Sequence, residues 1–257
     1  MGNDGPGIVR AALVVIGDEI LSGRTRDANT AYLATWLNEI GIRLVEVRIV
    51  PDVTECIVEA VNILRARVAY LFTTGGIGPT HDDITADAIA KAFGLPLVEN
   101  PEAVERLSKH YPTGQFTEAR RRMTRMPQGA SLIDNPVSIA PGFAIGNVFV
   151  LAGVPKIMQA MLDSLRHRLV GGEPLLSMSL AIAMPESALA GDLGAIAARH
   201  SDVSIGSYPY YRDGRPGLHV VARATDRARL EAVMDEVRRA ARGFGIEPVL
   251  EPEEPNG

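Results

Sequence analysis

Two adjacent carboxylates, Asp82 and Asp83, follow three glycines in the run Thr73-Thr74-Gly75-Gly76-Ile77-Gly78-Pro79-Thr80-His81-Asp82-Asp83-Ile84-Thr85. Glycines at this density let backbone N–H groups approach an anion, and the N-terminus of a following helix favours negative charge. Acids standing where the anion would go call for a third party, and a divalent cation is the simplest. The spacing is not that of a P-loop, since no lysine follows, nor is it G-x-G-x-x-G. A strand-to-helix turn capped by Asp or Thr, with no ligand, accounts for the same residues. Both readings stand on the spacing alone. A second acidic pair, Asp18 and Glu19, follows Gly17.

The flanking elements decide whether these acids can meet. Residues 68–72 form an apolar stretch of strand composition ahead of the glycines. Behind them Ala86, Ile89, Ala90 and Phe93 recur at helical spacing and stop at Gly94. Upstream, residues 11–16 read as a first strand, with a loop over 17–26. Asp27 is placed to cap a helix reaching about Ile40, which Gly41 ends. Residues 42–50 alternate as a strand, and Pro51-Asp52 turns into a helix over 53–67. This βαβαβα order predicts a parallel sheet with helices on both faces, whose ligands sit beyond the carboxyl ends of the strands. Both acidic loops follow strands, so they are expected on one sheet edge.

After a short strand at 95–98, Asn100-Pro101 supplies an N-cap and a first-turn proline, and 117–126 reads as helical. Arg120, Arg121, Arg122 and Arg125 cluster there, as a solvated face or as a phosphate clamp at the rim of the site. Gly146-Asn147 separates short strands at 144–145 and 148–151, a hairpin signal. Val154-Pro155 leads a helix to Leu169, and Gly171-Gly172-Glu173-Pro174 marks a boundary. Beyond it the order is strand (175–183), helix (185–199), strand (203–207), strand (218–224), helix (226–244) and strand (248–251). That βαββαβ order predicts a ferredoxin-like unit. Tyr208, Tyr210 and Tyr211 are expected in a turn, packing locally or forming a contact surface.

The predicted fold class is therefore α/β: a three-layer, mostly parallel sheet with a second, smaller ferredoxin-like α+β domain. The boundaries are a disordered N-terminus over 1–9, a first domain over 10–172, a second over 173–251, and a tail over 252–257. No internal repeat or low-complexity tract interrupts them.

With 257 residues, 46% of them apolar and 22% charged, the chain has the composition of an ordinary globular protein. A net charge of −5 argues against a general nucleic-acid binder. The single cysteine, Cys56, excludes an internal disulfide, fits a reducing compartment and is expected to be a buried thiol. Residues 1–10 hold no apolar core of a signal peptide, and no run reaches the length of a membrane span. A cytoplasmic protein is expected. Trp36, at helical spacing with Leu33 and Ile40, is assigned to the core.

Gly17-Asp18-Glu19-Ile20-Leu21-Ser22-Gly23, Asn29-Thr30, the glycine run, Asn135-Pro136, Ala140-Pro141-Gly142-Phe143 and Gly153-Val154-Pro155 occur in an order seen in one known family. Over residues 10–170 the chain resembles the MoaB/Mog-type molybdopterin-binding fold. It is most similar there to the N-terminal region of competence/damage-inducible protein A (CinA-type) proteins and to the molybdopterin-binding-like region of eukaryotic FAD synthases. The second domain resembles the small domain that follows this fold in those proteins. The amidase and transferase activities of their other domains are not carried over to this chain.

The resemblance implies that Gly75, Gly76 and Gly78 cradle phosphate and that an acid matching Asp83 is needed for activity. The Pro79-Thr80-His81-Asp82-Asp83 half is of the CinA type, which resembles metal-dependent nucleotide pyrophosphatases acting on ADP-ribose, and in FAD synthases an FAD hydrolase. Such chemistry suits acids beside a glycine loop. Ala152 stands where the family usually has proline, a change in a rigid turn and not in a reactive group.

The expected function is thus metal-dependent hydrolysis of a nucleotide diphosphate. A non-catalytic pterin- or nucleotide-binding module and a molybdopterin adenylyltransferase are the alternatives. Asp83 and Asp82 are assigned to catalysis, and Asp18, Asp82 and Asp83 to a divalent ion of the Mg, Mn or Co class. Gly75, Gly76, Gly78, Thr80, Asp18, Glu19, Asn29, Ser138, Pro141 and Gly142 are assigned to ligand binding. His81 is either a proton shuttle or a solvated imidazole. The expected partners are a small nucleotide or molybdopterin-like ligand, with neither nucleic acid nor membrane, and further copies of the chain in a homo-oligomer.

Overall fold

The computed structural model describes residues 8–251. The expectations for 1–7 and for the tail over 252–257 fall outside them. The chain divides into two compact units between Gly172 and Glu173.

The first unit opens with β1 (Val9–Ile16), so the expected disordered N-terminus gives way to a strand by Val9. A short helix α1 (Asp18–Leu21), α2 (Asn29–Glu39), β2 (Ile42–Val50), α3 (Thr54–Arg65), β3 (Tyr70–Thr74) and α4 (Thr85–Phe93) follow. Then come β4 (Leu97–Glu99), α5 (Pro101–His110), α6 (Glu118–Arg122), β5 (Arg125–Pro127), β6 (Ser131–Ile133), β7 (Gly142–Ile145), β8 (Val148–Leu151) and α7 (Pro155–Leu165). The main sheet has the order β2-β1-β3-β8-β7-β6. Its β2, β1, β3 and β8 run parallel, while β7 is antiparallel to both β8 and β6.

Both faces of this sheet are covered, as the continuous apolar run Ala11–Ile16 in β1 requires of a buried parallel strand. On one face Leu13 and Val15 pack with Leu33, Trp36 and Leu37 of α2 and Met158, Met161 and Leu162 of α7. On the other Ala12, Val14 and Ile16 pack with Ile57, Val61 and Leu64 of α3 and Ala88 and Ile89 of α4. Trp36 is in the core, as expected, and its indole N–H donates to Asp163 at 3.3 Å. Asp27 accepts from the N–H of Asn29 at 2.9 Å and of Thr30 at 3.2 Å, and Asn100 from that of Ala103 at 3.1 Å. Both residues thus close the helix starts that follow them.

Three local expectations are corrected. The helix expected over 117–126 ends at Arg122, because Arg125–Pro127 pairs with Leu97–Glu99 as a two-stranded sheet. Proline at 127 also cannot continue a helix. Cys56 is half-buried, not sealed in the core. The loop over 17–26 contains α1, and β6 had no clear signature in three residues.

The second unit contains β9 (Leu176–Ile182), α8 (Glu186–Arg199), β10 (Ser204–Arg212), β11 (Arg215–Ala224), α9 (Arg227–Gly243) and β12 (Val249–Glu251). Its antiparallel sheet has the order β10-β11-β9-β12, the ferredoxin-like arrangement. Leu180, Ile182, Val220 and Ala222 face Leu189, Leu193, Val233 and Val237 of its two helices. Tyr208, Tyr210 and Tyr211 lie on β10, not in a turn. The turn is Asp213-Gly214, with φ of 52° and 73°, which joins Arg212 to its partner Arg215. Two consecutive positive φ values are those of the two-residue hairpin turn that matches strand twist.

This unit has its own acid sensitivity. Glu236, paired with Arg199 at 2.6 Å and with His200 at 2.9 Å, is held down to about 2 chiefly by the Arg199 bond. Arg229 likewise holds Asp202 to about 2. Both carboxyls have folded values below their unfolded ones. Their contribution is therefore fully present above about pH 5 and is lost as pH falls toward 2. Urea unfolding at pH 7 and pH 3 should show a larger acid loss for the wild type than for Glu236→Gln. Equal losses in the two proteins would refute this assignment.

Candidate functional site

The carboxyl ends of β1, β2, β3 and β8 bring four loops together. The N–H of Gly17 donates to Val50 O at 3.1 Å, and that of Gly75 to Leu151 O at 3.2 Å. Asn29 Nδ2 donates to Gly153 O at 2.8 Å, and a Cβ on Gly153 would lie 3.2 Å from the Gly75 Cα. The two acidic loops meet on one edge because β1 and β3 are neighbours in register, with Val15 opposite Thr74.

The glycine loop is shaped by sterics. Gly75 has φ of 102° and Gly76 of 65°. A Cβ on Gly75 would run into the Ile16 carbonyl oxygen, and one on Gly76 into the Thr85 hydroxyl. Thr85 is fully buried; its hydroxyl donates to Gly75 O at 2.9 Å and its N–H to Gly76 O at 3.0 Å. The start of α4 thereby clamps the loop it follows.

The acids separate into two groups. Asp83 accepts from the N–H of Thr80 at 2.8 Å and from its hydroxyl at 2.5 Å, so it closes the turn onto Thr80. Its carboxylate also lies where a Cβ on Gly78 would go. Asp82 is exposed; the neighbouring Thr80 hydroxyl first, then its own N–H, hold it below the usual carboxylate range. His81 is 3.9 Å from Asp82 with its side chain 94% exposed, which makes it the solvated imidazole of the two readings.

A further carboxylate, Asp52, stands in the turn after β2. Asp52 accepts from the Asp18 N–H at 2.9 Å. Its pKa is raised, mainly by burial; the Asp18 N–H opposes this, and the charges of Asp18, Glu19 and Asp82 add to it. The charges of Asp18, Glu19 and Asp82 thus reach Asp52 across the strand ends. Among the described residues no three carboxylate, imidazole or thiol groups are drawn together tightly enough to hold a metal ion. The trio Asp18, Asp82 and Asp83 is accordingly not preassembled, because Asp83 is engaged with Thr80. The signal for Asp52 was its place directly after a strand, on the same edge as both acidic loops.

On the Asp83 side of the loop lies a cavity of about 60 Å³, lined by Gly76, Gly78, Asp83, Arg122, Pro141 and Phe143 among others. Pro141 therefore lines this cavity. Gly142 does not: it sits on β7, where a Cβ would strike Val150 O. Ser138 belongs to a self-contained turn, bonded to Asn135 Nδ2 at 2.6 Å, while Asn135 Oδ1 accepts from the N–H of Val137 and of Ser138 at 3.1 Å each. Asn29 is 6% exposed, and its Oδ1 has no hydrogen-bond partner among the described residues. The Thr74 hydroxyl at the end of β3 is in the same position. Buried polar atoms without partners are rare, and a ligand contact is one reason for them.

A parallel sheet whose carboxyl edge carries a strained glycine loop and a group of acids defines a small-molecule-binding α/β protein. The chain belongs to the family described as "Probable molybdopterin binding domain", which matches residues 12–171. Residues 174–249 match a second family, "FAD synthase, middle domain". A protein of Archaeoglobus fulgidus is 34% identical over 81% of this chain and 87% of its own length. A CinA-like protein of Geobacter sp. is 34% identical over 90% of this chain, which spans 58% of that protein. The crystal structure of "the protein CinA with unknown function" from Thermoplasma acidophilum has a TM-score of 0.59 at 32% identity, over 62% of this chain and 96% of that one. The expected family and fold are thereby established. Among the described residues no helix is long and apolar enough to cross a membrane.

Proposed function

We propose that the chain is a metal-dependent hydrolase of nucleotide diphosphates, of the kind that splits ADP-ribose or FAD. The observation that carries this reading is the convergence of Asp18, Glu19, Asp52 and Asp82 at the strand ends beside the glycine loop, where burial first, and then the charges of Asp18, Glu19 and Asp82, raise Asp52. Carboxylates at one edge are relieved by a shared cation. Among the described residues no three stand close enough to hold one beforehand, but oxygen donors of this kind suit an ion of the Mg, Mn or Co class once drawn together. Asp18, Asp52 and Asp82 would hold it, and when bound it supplies charge neutralisation and a more acidic water. This donor set takes Asp52 in place of Asp83.

The chain's own groups do the rest. Backbone N–H groups over 76–78 hold the phosphate that is not attacked. The oxygen of a water adds to the other phosphorus, its proton passes to a carboxylate of the edge, and the bridging oxygen leaves with the held phosphate. One dinucleotide and one water give two monophosphates. Asp83 acts through Thr80 by fixing the loop, and Asn29 Oδ1 accepts a hydrogen bond from the ligand.

The test is a screen of ADP-ribose, FAD and related diphosphates against Mg, Mn and Co ions. Release of two monophosphates from at least one substrate is expected. Tight binding of nucleotide or pterin with no turnover under any ion would support the non-catalytic module instead. That reading draws on Asp83 being engaged with Thr80. ATP-dependent adenylation of molybdopterin would identify an adenylyltransferase. We also propose that the protein works in the cytoplasm as a homo-oligomer, the second point being checked by sedimentation velocity.

A further inference from the structure

The four arginines of residues 120–125 do not share one role. Arg121 grips Glu99 through two nitrogens, at 2.8 to 3.0 Å. Arg125 pairs with Glu118 at 2.9 Å. Arg120 donates to Gln115 O at 2.6 Å and lies 4.0 Å over the Tyr111 ring. Each of these three is engaged within the fold. Arg122 is half-buried, and among the described residues its guanidinium has no hydrogen bond, ion pair or ring contact. It lines the 60 Å³ cavity against Gly76, Gly78 and Asp83.

A half-buried guanidinium without a partner keeps five donors in a rigid fork that matches a phosphate. The cavity has room for several waters or one tetrahedral oxyanion. Its other walls complement a sugar phosphate. Asp87 can accept from a hydroxyl, and Met123 and Phe143 supply apolar surface. The carboxylates and Arg122 share the cavity without forming an ion pair, so an occupant with an anionic end and hydroxyl donors satisfies both.

We propose that Arg122 forms an anion subsite on the Asp83 side of the glycine loop, taking the phosphoryl group of the ligand that remains bound when the other is attacked. The subsite selects diphosphates and sugar phosphates over bare monoanions. It deepens the hydrolase reading and rests on that reading's assignment of the glycine loop to phosphate. The arginines of this segment divide by partner: three position the segment and one faces the ligand.

The experiment uses the full chain and measures binding of inorganic pyrophosphate, ribose 5-phosphate and acetate by calorimetry. Arg122→Gln should weaken pyrophosphate and ribose 5-phosphate about 10- to 100-fold, the range for losing a charge-assisted bond. Its melting temperature should match the wild type, since no partner is lost. Arg121→Gln removes the same charge one residue away and should change binding by less than about threefold. Arg122→Lys, which keeps the charge without the fork, should recover part of the affinity. Equal losses in the Arg121 and Arg122 variants, unchanged binding in Arg122→Gln, or no pyrophosphate binding by the wild type would each overturn the subsite. Pyrophosphate binding that depends on Arg122 in a protein that hydrolyses no dinucleotide would uphold the subsite and remove the hydrolase reading. Hydrolysis with an unchanged KM in Arg122→Gln would do the reverse.

Discussion

Asp52→Asn should lower kcat of the proposed hydrolysis about 10²- to 10³-fold, the span for removing one preorganised electrostatic group from a site, while the protein stays folded. Asparagine keeps an oxygen to accept the Asp18 N–H, so the turn that joins the two loops survives. What goes is a charge that burial first, and then Asp18, Glu19 and Asp82, disfavour. The folded pKa of Asp52 is raised above the ordinary 3.8, so its ionised form is penalised in the folded state. That penalty is absent well below pH 4 and complete once pH has passed the raised value. The variant should therefore be more stable than the wild type at pH 7 and no more stable at pH 3. Urea unfolding at both pH values checks this sign, and a monophosphate-release assay checks the rate. Wild-type turnover in the variant would remove Asp52 from the chemistry and leave the carboxylate edge without its central member.

Gly75→Ala should destabilise the first unit by at least about 3 kcal/mol, combining backbone strain with a clash that has no soft neighbour to yield. The φ of 102° is one that side chains rarely adopt, and the atom met by the new Cβ is a backbone carbonyl oxygen of Ile16, held in the adjacent strand. Gly23→Ala is the matched comparison. Its φ of 73° is also positive, but nothing lies within 4 Å of the new Cβ, so the cost should stay near the 1–2 kcal/mol of the left-handed conformation alone. Chemical denaturation of the two variants measures the difference. Similar costs would mean that the loop gives way to the methyl group, and that β1 and β3 do not constrain it.

The loops, their order and their common edge were legible because each rests on local chemistry. The apolar run ahead of Gly75, the helical spacing after Thr85 and the caps at Asp27 and Asn100 all reflect short-range rules. The same rules failed where contacts over distance decide. Residues 117–126 read as helical, yet 125–127 form a strand because 97–99 offers a partner. The hairpin of β10 and β11 carried a readable Asp-Gly signal at the end of a tyrosine-rich strand.

The site divides along the same line. Sequence alone determined that glycines and acids would converge beyond the strand ends, because a parallel sheet with alternating helices leaves its loops there. Only the tertiary structure decided that Asp83 belongs to Thr80, that Asp52 joins the edge, and that one arginine of four is left facing the loop. Hydrogen bonds and ion pairs are matters of a few tenths of an ångström between side chains far apart in the chain. Residue types along a sequence specify which groups are available, and the packing of the sheet decides which of them find each other.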